Sequence, residues 1–264
     1  MGRGGRSVLL VALLCVSATA CSLASGEPSP APGGGLTERG PAVETDAAAT
    51  APDAAPSVAP APLAAPPAPA AVPTPMFRSA VGSITPELAD RMTPSSWRAG
   101  CPVPLEDLRY VTVSHVTFDG TVATGELVVH ADVADGVVGV FATLFAERYP
   151  VRSMRLVDDF GGDDTDSMDA DNTSAFNCRA ITGGTEWSEH AYGRAIDLNP
   201  VENPYVLGRH VAPDAGRGYA DRPDLPGVIH AGDVVVEAFA AAGWQWGGSW
   251  DSPVDYQHFS VSGR

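Results

Sequence analysis

The chain has 264 residues and a net charge of −16, and its sixteen basic residues are all Arg. An acidic chain without clustered basic residues is a poor partner for nucleic acid, which is held largely through phosphate contacts. No helix-turn-helix, RRM-like or P-loop signature is present. Pro crowds the first third and the aromatics crowd the rest. One folded domain of roughly 170 residues behind a long unfolded lead is therefore expected, near the common domain size.

In chain order, Arg3 and Arg6 precede an apolar run from Val8 to Val16. The run is too short to span a bilayer as a helix, so residues 1–20 read as a signal peptide. Small residues at 17–20 lead directly to Cys21. Three continuations stay open: lipidation of Cys21 at a lipobox-like site, ordinary cleavage beside an incidental Cys, or an uncleaved anchor. Each exports the chain, to the outer face of the membrane or beyond it, and a lipid on Cys21 is the expected membrane contact. Residues 22–75 are Ala, Pro, Gly, Ser and Asp with almost no large apolar side chain. Such a stretch cannot offset the entropy of ordering itself, and its Ala-Pro runs favour an extended spacer.

Residues 76–100 read as transitional, with Thr85 as N-cap and Pro86 at the first position of a short helix. Trp97 is expected to pack at the domain edge. From 101 to 264 the chain reads as one globular domain. Arg109 to Phe118 alternates and is β-branched, Asp119-Gly120 signals a hairpin, and Thr121 to His130 returns. Asp132 to Arg148 has helical apolar spacing and ends before Pro150. Ser153–Val157 and Ser174–Ile181 read as strands. Between them Asp158 to Asn172 is acidic. It lacks the glycine and closing Glu of a calcium loop, which favours a solvated loop bordering a cleft. Val201 to Ile229 reads as an irregular loop over the cleft. Ala231 to Ala242 reads as a helix with Val235, Val236, Phe239 and Ala240 inward, ended by Gly243. Trp244–Gly248 and Gln257–Ser262 close the chain as strands. The sum is an α+β fold, a small antiparallel sheet with flanking helices.

Setting aside Cys15 and Cys21, the pair Cys101 and Cys178 remains, and in an exported chain an isolated pair is expected to form a disulfide. His115, His130, His210 and His230 read as ordinary surface or core residues. His190, Asp197 and His258 form a set of a different kind, since two imidazoles and a carboxylate suit zinc with a coordination position left over. On a helix, 190 and 197 would stand about 10 Å apart along the axis. On one straight strand they would face opposite ways. A turn at Gly193 lets the two face each other, with Ala195 to Leu198 as a short strand. Asp255, three residues from His258, is expected in the loop before the last strand, where Pro253 favours a loop.

The pattern Ser188-x-His190-x-x-Gly193-x-Ala195-x-Asp197, followed by Asp255-x-x-His258, resembles the zinc D-alanyl-D-alanine carboxypeptidase/endopeptidase family, peptidase family M15. Phe176 to Arg179, Asn199-Pro200, Asn203-Pro204-Tyr205 and Trp244-x-Trp246-Gly247-Gly248 extend the match over about residues 100–262, nearest to the subgroup of L-alanyl-D-glutamate endolysins. The resemblance implies a hedgehog/DD-peptidase-like fold with Zn2+ on His190, Asp197 and His258. It further implies Asp255 as general base, Arg179 on the scissile carbonyl, Ser188 on substrate, and peptidoglycan peptides as substrate, cut by a monomer. Asp at the base position, where some relatives carry Glu, is shared with the endolysin-like subgroup. A zinc-containing but inactive wall-binding module is the rival reading; it would be expected to lack Asp255 or Arg179, and both are present.

Overall fold

The computed structural model describes residues 75–264. The signal peptide at 1–20, Cys21 and the linker at 22–75, save its last residue, lie outside the described residues. The fold is α+β, and its antiparallel strands are divided among three small sheets.

The first sheet has the order β1 (Ser79–Ser83), β2 (Leu108–Val116), β3 (Val122–His130). Residues 76–100, read as transitional, supply β1 and the helix α1 (Pro86–Met92). The Thr85 Oγ1 accepts the Leu88 N–H at the start of α1. Strands β2 and β3 run antiparallel from Leu108↔His130 to Val116↔Val122. Asp119 accepts the Thr121 N–H in the tight turn, and Gly120 takes the left-handed conformation that turn needs, φ 82°. Helix α2 (Ala134–Ala146) lies on this sheet, its Val137, Val140, Phe141 and Leu144 buried against Val111, Val113, Leu127 and Val129. That spacing is one helical face, and each fully buried side chain contributes about 1.5–3 kcal/mol. The helix starts two residues later than read from sequence, because Asp132 is bound to the His130 ring at 2.5 Å and to Arg194.

The acidic stretch is not a solvated loop. It holds a 3-10 turn (Val157–Phe160), then α3 (Asp164–Asp169) between the paired short strands β4 (Ser153–Met154) and β5 (Asn172–Thr173). Five of its seven carboxylates have partners, which is why it orders. Asp158 accepts the Ser96 N–H at 3.0 Å, and Asp159 meets Arg91 at 2.7 Å and Arg155 at 2.8 Å. Asp163 caps α3, and Asp171 accepts the Val201 N–H at 2.9 Å. The next segment, 174–181, is extended without forming the expected strand. Its amides are shared among several elements: Phe176 donates to Val128 O, Asn177 to His190 O and Cys178 to Ser96 O. Cys178 is bonded to Cys101 as expected, closing a sequence separation of 77.

Strand β6 (Ala195–Asp197) follows. The span from Val201 to Ile229 is more regular than its prolines suggest, with the hairpin β7 (Tyr205–Leu207), β8 (His210–Ala212) and a 3-10 segment (Asp214–Tyr219). Buried Asn203 fastens both ends of the span: Nδ2 donates to Leu198 O and Gly227 O, and Oδ1 accepts from Arg222 and from Ile229 N. Asp233 caps α4 (Val234–Ala241), which therefore begins three residues late. Val235 and Phe239 are buried, whereas Ala240 faces solvent, so the inward face is narrower than expected. The chain closes with β9 (Gln245–Trp246), β10 (Val254–Asp255) and β11 (His258–Ser260). Asp255 thus sits in a short strand of its own, paired with Tyr205 of β7, and not in a loop.

Candidate metal centre

The centre is built on the antiparallel pair β6–β11, whose register sets His258 opposite Asp197 and Phe259 opposite Ile196. Alternation along a strand sends Ile196 and Phe259 into the core. There Phe259 stacks on Phe239 with ring centres 3.9 Å apart. The same alternation turns Asp197 and His258 to the other face, side by side.

His190 arrives from the turn before β6. A 3-10 helix covers Glu189–Tyr192, and the Ser188 Oγ caps it by accepting the His190 N–H at 3.3 Å. Gly193 then reverses the chain with φ 67°, as the spacing of His190 and Asp197 required. A Cβ at Gly193 would stand 2.6 Å from the His130 amide nitrogen and 3.1 Å from the Val129 carbonyl carbon. Gly193→Ala is accordingly expected to destabilise the domain by about 2–4 kcal/mol, from the left-handed conformation and the backbone clash together. A denaturant midpoint equal to wild type would remove the requirement for glycine.

Three donor groups meet, the two imidazoles on different oxygens of one carboxylate: His190 Nε2 to Asp197 Oδ2 is 3.1 Å, His258 Nδ1 to Asp197 Oδ1 is 3.0 Å, and His190 Nε2 to His258 Nδ1 is 3.3 Å. Tetrahedral ligands about 2.0–2.1 Å from zinc lie roughly 3.3 Å from one another, which is the separation of the two imidazole nitrogens, and one donor from each of the three residues lies within 4.8 Å of the others. The remaining ring nitrogens face backbone carbonyls, His190 Nδ1 to Ala175 O at 2.6 Å and His258 Nε2 to Arg264 O at 3.1 Å. Donation there leaves the lone pairs of Nε2 and Nδ1 directed at the common centre. All three residues are buried, and together they can hold a metal ion.

The electrostatics of the cluster fit the same purpose. Burial works against ionisation of Asp197, but the His190 and His258 charges outweigh it and hold the carboxyl well below the usual carboxylate range. Burial likewise works against a charge on His258, but the Asp197 hydrogen bond and charge push it up to about 9. Without a cation, a proton takes its place. Asp255 is half-buried as a residue, yet its Oδ1 is shut off from solvent without a hydrogen-bond partner. Burial pushes its carboxyl up to about 7, against the pull of the His258 charge. The backbone packs closely here: a Cβ on Gly247 would stand 2.7 Å from Asp255 O and 3.3 Å from His258 Cβ.

Asp255 therefore lies beside the cluster, whereas Arg179 makes no hydrogen bond to it. The Arg179 carbonyl accepts the Ser188 N–H at 3.1 Å, and its guanidinium is bound to Asp164 at 2.8 Å. Ser188, expected on substrate, is buried in its capping position. Among the described residues no other histidine joins the cluster. His115 is buried, His130 pairs with Asp132, His210 meets Tyr205 and His230 meets Arg222 O. Three contributors had no readable signal. The carbonyls of Ala175 and Arg264 act through backbone that every residue possesses, and Asp164 lay unmarked among a run of acids.

A family model described as D-alanyl-D-alanine carboxypeptidase matches residues 182–261. No curated protein and no solved structure gives a significant match. The matched region contains all three cluster residues and Asp255, the same residues that carried the resemblance. The class defined here is a peptidase with a candidate metal site. More particularly, the match covers 80 of the 264 residues and supports the resemblance to peptidase family M15.

Proposed function

We propose that this chain is a zinc-dependent peptidase that hydrolyses peptide bonds in peptidoglycan stem peptides outside the cytoplasmic membrane. The observation that carries the reading is the convergence of one donor atom each from His190, Asp197 and His258 within 4.8 Å of one another, beside the partnerless Oδ1 of Asp255. Two neutral imidazoles and one carboxylate fit zinc, with His190, Asp197 and His258 holding it. Zinc bound there lowers the pKa of water and polarises a carbonyl. Asp255 accepts the proton of the attacking water and returns it to the leaving amine. Arg179 adds positive charge for the oxyanion. The Ser188 hydroxyl accepts from His190 N, so its own O–H remains free to donate to a peptide. Arg3, Arg6 and the apolar run that follows support export, and Cys21 supports attachment to the membrane by a lipid.

The test is mass spectrometry of defined muropeptides incubated with the zinc-loaded protein. Loss of a terminal D-Ala identifies a carboxypeptidase, and cleavage between L-Ala and D-Glu identifies an endopeptidase. A protein that holds one zinc per chain and leaves every muropeptide intact contradicts the reading and favours a binding module.

A further inference from the structure

The acidic segment from 158 to 172 reaches the predicted oxyanion group through a single side chain. Asp164, at the start of α3, binds Arg179 Nη2 through Oδ2 at 2.8 Å. The other contacts of that guanidinium are slight. Nη1 stands 3.5 Å from Ala180 O, and Nε is shut off from solvent with no partner. A long flexible side chain with one strong partner points where that partner directs it.

The backbone beneath Arg179 is already fixed. Its carbonyl accepts from Ser188 N, and the preceding Cys178 is disulfide-bonded to Cys101. Asn177 Nδ2 donates to Gly162 O at 3.2 Å, at the entrance to α3. The direction of the guanidinium is the freedom that remains, and Asp164 removes it. The same helix also touches the C-terminal segment of the site, where Met168 Sδ accepts from Gln257 Nε2 at 3.4 Å. Gln257 lies between Asp255 and His258 in the chain. Helix α3 therefore contacts both the segment bearing Arg179 and the segment bearing the base.

We infer that Asp164 is a positioning residue that fixes the Arg179 guanidinium for a substrate carbonyl. The inference rests on the peptidase reading above. A part-exposed ion pair of this kind adds little to stability, so a merely structural Asp164 would leave turnover unchanged when replaced.

The experiment compares kcat and KM on a muropeptide for zinc-loaded wild type, Asp164→Asn, Asp164→Glu, Arg179→Ala and the double variant Asp164→Asn/Arg179→Ala. Asp164→Asn is expected to lower kcat about ten- to a hundredfold, the scale of a misplaced catalytic group. KM should stay within about twofold, and Asp164→Glu should restore part of the loss. In the Arg179→Ala background Asp164→Asn should have no further effect, since the two act as one unit. Unchanged kcat in Asp164→Asn, or an equal loss in both backgrounds, overturns the inference. A second measurement does not depend on peptide cleavage. The Nε–H signal of Arg179 in 15N–1H NMR of the metal-free protein, assigned by its loss in Arg179→Lys, should be slow to exchange in wild type. It should broaden in Asp164→Asn; a signal indifferent to Asp164 also overturns the inference. Wild-type protein that binds zinc and cleaves nothing counts against the peptidase reading, while the NMR measurement still decides whether Asp164 holds Arg179.

Discussion

Asp255→Asn is expected to keep one metal ion per chain and to lose peptide hydrolysis by about 10²- to 10⁴-fold, the usual contribution of a positioned acid–base group. The three residues that can hold the metal do not include Asp255, so metal content should not change. Asn has the shape of Asp, which matters where a Cβ on Gly247 would already crowd Asp255 at 3.1 Å. Stability gives an independent sign. The folded Asp255 carboxyl titrates near 7, well above its unfolded value, with burial as the main cause. The folded state therefore keeps the proton longer, and the stability of the metal-free protein falls as pH rises from about 4 to about 7. Above that window wild type carries a buried charge that Asn lacks. The variant should melt higher than wild type at pH 8 and nearly equally at pH 4. Full activity in Asp255→Asn would falsify its assignment as base, and loss of the metal would make it a ligand instead.

Metal binding is expected to release a proton. His258 holds one up to about pH 9 in the metal-free cluster, and a cation on Nδ1 must displace it. The sign follows directly: affinity weakens as pH falls, by about tenfold per pH unit between pH 8 and pH 6. Titration calorimetry with zinc in two buffers of different ionisation enthalpy reads the number of protons released. His258→Ala should bind at least about 10²-fold more weakly, with most of the pH dependence gone and no peptidase activity. Affinity independent of pH in wild type, or unaltered in His258→Ala, would remove His258 from the ligand set.

Much of the fold was legible where the signal is local. Thr85-Pro86 marked α1, Asp119-Gly120 marked the β2–β3 hairpin, and the spacing of Val137, Val140, Phe141 and Leu144 marked α2. Gly193 was legible from geometry alone, because His190 and Asp197 cannot share a metal without a reversal between them. Strands of two or three residues were not legible. A run as short as Val254–Asp255 or Tyr205–Leu207 shows no period, and these two exist because they pair with each other. The segment 174–181 misled for a related reason: it has strand-like residues, but its amides are claimed by several different elements. In the acidic stretch composition suggested solvent, whereas Arg91, Arg152 and Arg179 from more distant positions, with Arg155 four residues before Asp159, turn it into ordered structure. For the site, residue identity was legible and reach was not. The motif held Arg179, but nothing in it marked Asp164 as the partner of that guanidinium.

The two closures of the chain are consecutive. Cys101 and Cys178 are joined across a separation of 77, and Asp197 meets His258 across a separation of 61. A cation held by Asp197 and His258 is therefore a second cross-link, removable by a chelator as the first is by a reductant. By loop-closure entropy each restricts the unfolded chain by on the order of 4 kcal/mol. Neither loop contains the other, so a reductant slackens the part with β2, β3 and α2, while a chelator slackens the part with β7, β8 and α4. With a cation bound, the protein would be stapled twice in series, once by a covalent bond and once at its candidate metal centre.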